Sequence, residues 1–425
     1  MSVSKKVLIL SYYWPPSGGS GVQRWMYFAK YLKQLGWEPI VITVDEKQAA
    51  YPQLDQSLLK EIEGIRVIKT TTREPLRLYS RLTSGNTAKG IPQGEVNTKS
   101  IFGKLAAYIR GNYFIPDARK GWVPFAVKAA QKLLQQENIE HLITTGPPHS
   151  THLVGLQLID LFQLNWWVDF RDPWTDVFYN KQMRQSKSSQ TKDALLEKNV
   201  LQKASGVITT IGGELQQSLA AKAPHQKFVT LANGFDEEKM NGIASLPPKD
   251  VFHIVYTGLL TQQQAYPSIL KALRELKGNR PIRFSLAGNI SKSILEEIRT
   301  ALPHVEVVYH GYLDHAAAIA LMKSGHLLLN FIFTGATTQM ISGKLLEYFA
   351  TQVPVLSIGD PLSAAGEFIA QGSCAKMLKR EDHAAIYGFI QALFEANKVQ
   401  KNVMDNLDQW SRKAITQHLI KTVLS

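Results

Sequence analysis

The chain of 425 residues contains a single cysteine, Cys374, so it has no internal disulfide framework and a reducing compartment is expected. Long hydrophobic runs are also missing. The longest strongly apolar stretch, Leu327 to Phe333, is broken by Asn330 and falls far short of a bilayer span, which excludes a transmembrane helix. No export signal is visible, because the first strand begins after only a few polar and basic residues, and a cytoplasmic location is expected. Neither zinc-ligand spacing nor an aromatic RNA-binding signature occurs, and the basic residues are scattered along the chain, so nucleic acid is not expected as a partner. Asp-x-Asp is absent throughout, and no metal ligands are assigned.

Positive charge is abundant. Lys and Arg number 48 against 35 Asp and Glu, a formal net charge of +13 that calls for an acidic partner. With nucleic acid set aside, the weight moves to an anionic membrane surface or a phosphorylated substrate. The length exceeds one ordinary core, and an apolar fraction of 44% supports a globular protein of two domains.

The chain opens on a short apolar strand, Val7 to Leu10, that runs into a glycine cluster, Gly18, Gly19 and Gly21, and then into a helix. Val22, Met26, Ala29 and Leu32 recur at helical spacing, Trp25 and Phe28 widen the stripe, and Gly36 marks the stop. Glycines let the backbone turn tightly, and amides exposed at a helix start favour an anion, so this order suits a phosphate site. Arg24 stands where a dinucleotide fingerprint has its third glycine, and the spacing is not that of a Walker loop either. Taken alone, the segment reads equally well as a glycine-rich surface loop.

Strand-like runs follow at Pro39 to Val44, Ile65 to Lys69, His141 to Thr145, Trp166 to Phe170 and Gly206 to Thr210, alternating with helical patterns such as Ala126 to Leu134 and Leu195 to Leu201. That alternation predicts a parallel sheet covered by helices. A second series, Phe252 to Tyr256, Ile282 to Leu286, Val305 to Tyr309, His326 to Phe331 and Pro354 to Ile358, predicts another doubly wound unit. The polar stretch from Gly234 to Asp250, with Pro247 and Pro248, reads as the linker. Val403 to Leu424 reads as a final amphipathic helix carrying Leu407, Trp410, Ile415 and Leu419.

Residues 75 to 120 interrupt the alternation. Within them Phe102, Leu105, Ala106 and Ile109 share a helical face, with Lys104 and Arg110 off it and Tyr108, Tyr113 and Phe114 nearby. This pattern fits either an interfacial membrane helix or, the favoured reading, a helix packed on its own domain.

In open parallel sheets, ligands bind beyond the carboxyl ends of strands, so the loops there are the places to look for chemistry. Besides the glycine loop, the first half offers Gly146-Pro147-Pro148-His149-Ser150 and Arg171-Asp172-Pro173-Trp174. His149 is a candidate acid, base or hydroxyl ligand, or a helix-start histidine without chemistry. Asp172 is a candidate base or sugar ligand, or else a helix cap or an ion-pair partner of Arg171. In the second half Lys344 and Glu347 are three apart at a predicted helix start, an ammonium for phosphate beside a carboxylate that accepts from two adjacent hydroxyls. The alternative is an ordinary surface ion pair. Thr257-Gly258, Gly288-Asn289 and Gly311-Tyr312 put small residues at three other strand ends.

Together, YYWPPSGGSGVQR, TTGPPHSTHL, VDFRDPW, LANGFD, YTGLL, AGN, HGYL and SGKLLEYFA followed by VPVL resemble the family-four retaining glycosyltransferases, and most nearly bacterial enzymes of surface-polysaccharide assembly. The resemblance covers essentially the whole chain. It implies an α/β protein of the GT-B architecture, with two doubly wound Rossmann-like domains facing an interdomain cleft. The expected division is residues 1–240 as acceptor domain and 250–404 as nucleotide-sugar donor domain, with a final helix, 405–425, docking back on the first. The implied activity is transfer of a sugar from a nucleotide diphosphate sugar to a glycan or lipid-linked acceptor with retention. No cofactor or metal is implied, the nucleotide sugar being a co-substrate, and the location implied is the cytoplasm or the inner face of the plasma membrane. Gly18, Gly19 and Gly21 would face the diphosphate and acceptor, Lys344 would lie near phosphate, Glu347 would hold the ribose, and Gly311 and Tyr312 would border the base. Arg24, Thr257, Gly258, Asn289, Gln339 and Gly343 complete the expected donor site; His149 and Asp172 are the catalytic candidates.

Two departures stand out. The family has a glutamate eight residues before Glu347, where this chain has Gln339. Many relatives carry an Arg and a Lys after the first strand of the second domain, where Thr261, Gln262, Gln263 and Gln264 stand here, and losing that pair weakens stabilisation of a leaving diphosphate. Two rival readings follow: a nucleotide-sugar epimerase or hydrolase on the same scaffold, and a non-catalytic nucleotide-sugar binding protein.

Overall fold

The computed structural model describes residues 5–49, 51, 54–73, 108–177, 183, 185–210, 213–276, 278, 280–333, 341–396 and 398–425. Gln339, Phe102, Lys104, Leu105 and Ala106 lie outside these residues. The chain divides into two compact units, residues 1–232 with 416–425 and residues 233–415.

In the first unit β1 (Lys6–Leu10), β2 (Glu38–Val44), β3 (Arg66–Thr70), β4 (His141–Gly146), β5 (Asn165–Phe170), β6 (Gly206–Thr209) and β7 (Phe228–Thr230) form one sheet. Its order is β3-β2-β1-β4-β5-β6-β7, with every neighbouring pair parallel. Val7 to Leu10 are all completely buried, as strands covered on both faces require. Helices α1 (Ser20–Gln34), α2 (Val123–Gln136), α3 (Ser150–Leu158), α4 (Lys187–Lys203) and α5 (Gly213–Lys222) connect the strands, and Trp122, Trp166 and Phe170 sit in the core between them. Strand order reverses between β1 and β4. The glycine loop follows one of these strands and the Pro147-Pro148 loop follows the other, so both flank the switch point at which such sheets take ligands.

The second unit repeats the plan. It begins with α6 (Glu237–Gly242) and continues through β8 (Phe252–Thr257), α7 (Pro267–Glu275), β9 (Ile282–Ala287), α8 (Lys292–Ala301), β10 (Val305–Tyr309) and α9 (His315–Lys323). β11 (Leu327–Phe331), α10 (Gly343–Ala350), β12 (Val355–Ile358), α11 (Ala364–Ile369), β13 (Ala375–Leu378) and α12 (His383–Phe394) complete it. The parallel sheet runs β10-β9-β8-β11-β12-β13, so its switch point lies between β8 and β11. α10, which carries Lys344 and Glu347, comes after β11.

Four segments differ from the sequence-based expectation. β7 and β13 were not foreseen, being three and four residues long and partly exposed. The stretch from Gly234 to Asp250 is not free linker: Phe235 is buried and bridges Ser411, and Asp236 caps α6 by accepting from the Lys239 amide. The final helix is shorter than Val403 to Leu424, with a 3-10 turn at Leu407–Trp410 and then α13 (Arg412–Val423). Asn406, at a φ of 57°, and extended Ser411 interrupt the predicted helix. Among the described residues no helix is long and apolar enough to cross a membrane.

Candidate functional site

In the first unit the glycine loop leads from β1 to Gly19, which caps α1 at a φ of 102° with open space beside it. Gly18 is half-buried, and Gly19 and Gly21 are exposed. Gly21 meets a different neighbour. A Cβ there would overlap Nη1 of Arg171, whose guanidinium donates to the carbonyls of Gly21 at 2.6 Å, Gly146 at 3.0 Å and Pro147 at 2.5 Å. One side chain thus ties the glycine loop to the proline loop, and it was read from sequence only as a partner for Asp172.

Arg24 does not join the candidate site. Its side chain is 1% exposed and pairs with Asp169 at 2.8 Å, while Nη1 donates to the carbonyl of Leu231 at 2.7 Å. Asp169 also accepts from Trp25 Nε1 at 2.7 Å and from Thr145 Oγ1 at 2.8 Å. The helix turns Arg24 inward, its charge is neutralised there, and the expectation of a donor contact is corrected.

His149 stands at the start of α3, buried, with its ring stacked on Trp174 at 5.0 Å and its Nδ1 without a hydrogen-bond partner. Burial, reinforced by neighbouring His152, holds its pKa well below the ordinary value, so the ring is neutral at physiological pH. His152 stacks on Phe170 at 4.8 Å, shares a hydrogen bond with Thr144 Oγ1 at 2.8 Å and is pushed by burial to about 3. Asp172 is half-buried, and burial raises its pKa against the opposing charge of Arg171. His149 and Asp172 follow the adjacent strands β4 and β5, paired as far as Gly146 and Phe170. Trp174 and His152 were not singled out from the sequence; an aromatic two residues beyond a candidate carboxylate was the available signal.

In the second unit, strand ends β8, β9 and β10 converge. The Gly258 amide donates to the Ala287 carbonyl at 2.8 Å and the Gly288 amide to the Gly311 carbonyl at 2.7 Å. The Leu260 amide donates to the Asn289 carbonyl at 3.1 Å, which leaves the Asn289 side chain exposed. Tyr312 is 54% exposed beside them. Thr257 faces inward instead, its amide donating to the Tyr348 hydroxyl at 3.0 Å, so it clasps β8 to α10.

On α10, Gly343 has only distant neighbours, the nearest being Asn233, and Lys344 lies next to Gly258. Lys344 and Glu347 are not paired with each other. Lys344 Nζ sits 4.3 Å from the Tyr256 ring centre and 3.2 Å from its hydroxyl, and burial pushes its pKa down to about 7. Glu347 Oε1 accepts from His315 Nε2 at 2.8 Å and Arg412 Nη2 at 3.3 Å. Burial would raise this carboxyl, but the bond from His315 and the charges of His315, Arg412 and Lys239 hold it below the ordinary value. His315, Arg412 and Tyr256 carried no sequence signal, since each meets its partner only through the fold.

The loop after β8 has a structural reason for glutamine. Gln264 is buried, accepts from the Thr261 amide at 2.9 Å and donates to the Phe331 carbonyl at 3.0 Å. It closes the turn that follows β8.

No family model matches the sequence, and no curated protein matches it. Solved structures do match along almost the full length. Sucrose-phosphate synthase of Thermosynechococcus elongatus superimposes with a TM-score of 0.63 at 12% identity, covering 98% of this chain and 97% of that one. Anabaena HepE, in complex with UDP and glucose, gives 0.61 at 13% identity over 99% of each chain. A glycosyltransferase of Rickettsia africae gives 0.57 at 15% identity, covering 98% of this chain and 94% of that one. The fold is GT-B. Both Rossmann-like units of this GT-B chain therefore direct their β1/β4 and β8/β11 loops, with the residues just described, to the sheet edge at which ligands bind in open α/β folds.

Proposed function

We propose that this protein transfers a glycosyl group from a nucleoside diphosphate sugar to a hydroxyl of a glycan or lipid-linked acceptor, with retention and without a metal ion. The observation that carries the reading is α10: an ammonium with no carboxylate partner among the described residues and a carboxylate held ionised, on one helix at the sheet edge of a GT-B unit. Lys344 suits a diphosphate and Glu347 the ribose diol. HepE, a fold neighbour, binds UDP and glucose.

In the proposed reaction the acceptor oxygen bonds to the anomeric carbon as the bond to the β-phosphate oxygen breaks, and the acceptor proton passes to that departing phosphate. In the second unit, Lys344 neutralises the charge that develops on that phosphate. At the sheet edge of the first unit, neutral His149 and half-buried Asp172 are the candidate groups for handling the acceptor hydroxyl.

A second reading, a non-catalytic nucleotide-sugar binder, is favoured by Gln264, which fills the cation-bearing loop as a buried clamp. A thermal-shift screen of nucleotide sugars, followed by product analysis with and without lipid-linked glycan, separates these possibilities. The transferase gives a glycosylated acceptor, a hydrolase or epimerase consumes donor alone, and a binder is stabilised without turnover. Stabilisation by none of the nucleotide sugars overturns the reading.

Peripheral attachment to an anionic membrane surface belongs to the proposal. It is supported by the net charge of +13 and by the exposure of Tyr108, Ile109 and Tyr113 at 44%, 40% and 67%. Flotation with anionic liposomes tests it, and protein left in the soluble fraction counts against it.

A further inference from the structure

The second unit is entered at Asn233 and left after Ile415, and the two crossing segments lie side by side within it. Phe235 bridges Ser411 in parallel, its amide donating to the Trp410 carbonyl at 3.2 Å while the Arg412 amide donates to the Phe235 carbonyl at 2.8 Å. Gly234 makes the approach possible, because a Cβ there would stand 2.9 Å from the Trp410 carbonyl oxygen and 3.1 Å from Arg412 Cγ. Trp410 packs edge-on against Phe368 at 5.4 Å, and Phe368 packs on Phe349 of α10 at 4.7 Å. The backbone of Arg412 is thereby fixed from two sides, and its buried guanidinium reaches Glu347.

The chemistry at Glu347 is asymmetric. Among the described residues two side chains, His315 and Arg412, donate to Glu347, and both fall on Oε1. A carboxylate offers about four acceptor sites, so about two remain, the number a vicinal diol needs. Without Arg412 the carboxylate would be held by one histidine alone and would be free to turn about its last torsion.

We propose that Arg412 is a positioning residue that fixes the Glu347 carboxylate to receive the ribose diol of the donor nucleotide, and so links that subsite to the paired crossing segments of the second unit. The inference rests on the reading of Glu347 as the ribose ligand. It predicts that nucleotide affinity depends on Arg412 only when the ribose hydroxyls are present.

The test is calorimetric titration of the full chain with UDP, GDP and ADP and with the 2′,3′-dideoxy form of each. Wild type prefers the bound ribonucleotide over its dideoxy form by about ten- to a hundredfold, as hydrogen bonds to a charged group allow. R412M lowers that preference to about threefold or less, R412K keeps most of it, and the dideoxy affinity is equal in all three. Should R412M not fold, R412Q, which keeps the shape of the chain without its charge, carries the same comparison. A preference unchanged in R412M or R412Q overturns the inference, as does an equal loss for both nucleotide forms, which a merely structural role would give. E347Q distinguishes the two failures. If E347Q abolishes the preference and R412M does not, only the role of Arg412 falls. If E347Q leaves the preference intact, or no nucleotide binds, the ribose reading falls and this inference with it.

Discussion

Lys344 places its ammonium 4.3 Å from the centre of the Tyr256 ring, with no carboxylate of the described residues at ion-pair distance. Burial without a counter-charge pushes its pKa from 10.5 to about 7, so its charge changes within the physiological range. Only the protonated form attracts a diphosphate. Nucleoside diphosphate affinity should therefore fall as pH rises from 6 to 8 by up to about tenfold, one pKa unit's worth of binding. K344R stays charged throughout and should lack that fall, so the difference between the two titration series isolates the lysine. Identical pH profiles would remove Lys344 from the anion site.

The same shift has a consequence for folding. Between pH 7 and 10.5 the unfolded chain keeps a proton on Lys344 that the folded chain has lost, so stability should rise with pH across that window. K344M should flatten the rise, as read from urea midpoints at pH 7 and 9. A slope equal to wild type would show that the buried ammonium contributes nothing to it.

D169N should be strongly destabilising. Asp169 is completely buried and accepts from Arg24, Trp25 and Thr145, and the substitution leaves Arg24 charged without its carboxylate. Breaking a buried pair from one side costs about 3–5 kcal/mol. Denaturant unfolding measures the loss, and a change below about 1 kcal/mol would mean that the guanidinium finds other compensation.

Much of this was legible before the coordinates, and the reasons are local. Val7 to Leu10 and the later apolar strands are long enough, and buried on both faces, to announce a parallel sheet, and the loops that follow them are then placed by topology alone. β7 and β13 are too short to carry a pattern. Arg24 misled because its glycine neighbours suggest a solvent-facing loop, whereas α1 is buried nearly all round and the partner, Asp169, is 145 residues away. Glu347 was visible as a candidate because of its spacing from Lys344, but the donors that hold it come from α9 and α13. Local spacing nominates a candidate group; which charges surround it is decided by pairings between distant segments.

G21A tests one such pairing. The new methyl would overlap the Arg171 guanidinium, the far end of a flexible side chain that must shift and give up its bond to the Gly21 carbonyl, a loss of about 0.5–1.5 kcal/mol. R171A removes the obstacle along with the bonds to Gly146 and Pro147, so the double variant should be less destabilised than the sum of the two singles. Residues in contact couple by about 0.5–3 kcal/mol, well above the error of a urea series. Additive costs would separate the glycine loop from Arg171.

Acid should expose the buried imidazoles. His152 is completely buried and titrates at about 3, against 6.5 when unfolded, so between those values the unfolded chain binds a proton that the folded chain refuses. The sign follows directly: stability is full above pH 6.5 and falls as pH drops toward 3, by about 2 kcal/mol on reaching pH 5 for this residue alone. His149, also held neutral by burial and by His152, adds to the same slope. H152F keeps the stack on Phe170 but has nothing to protonate, and although losing the bond to Thr144 lowers its stability at pH 7, its decline between pH 7 and 5 should be shallower than wild type by about that 2 kcal/mol. Parallel declines in the two proteins would mean that His152 reaches solvent before the unit unfolds, which would contradict the sealed aromatic packing around His149 and Trp174.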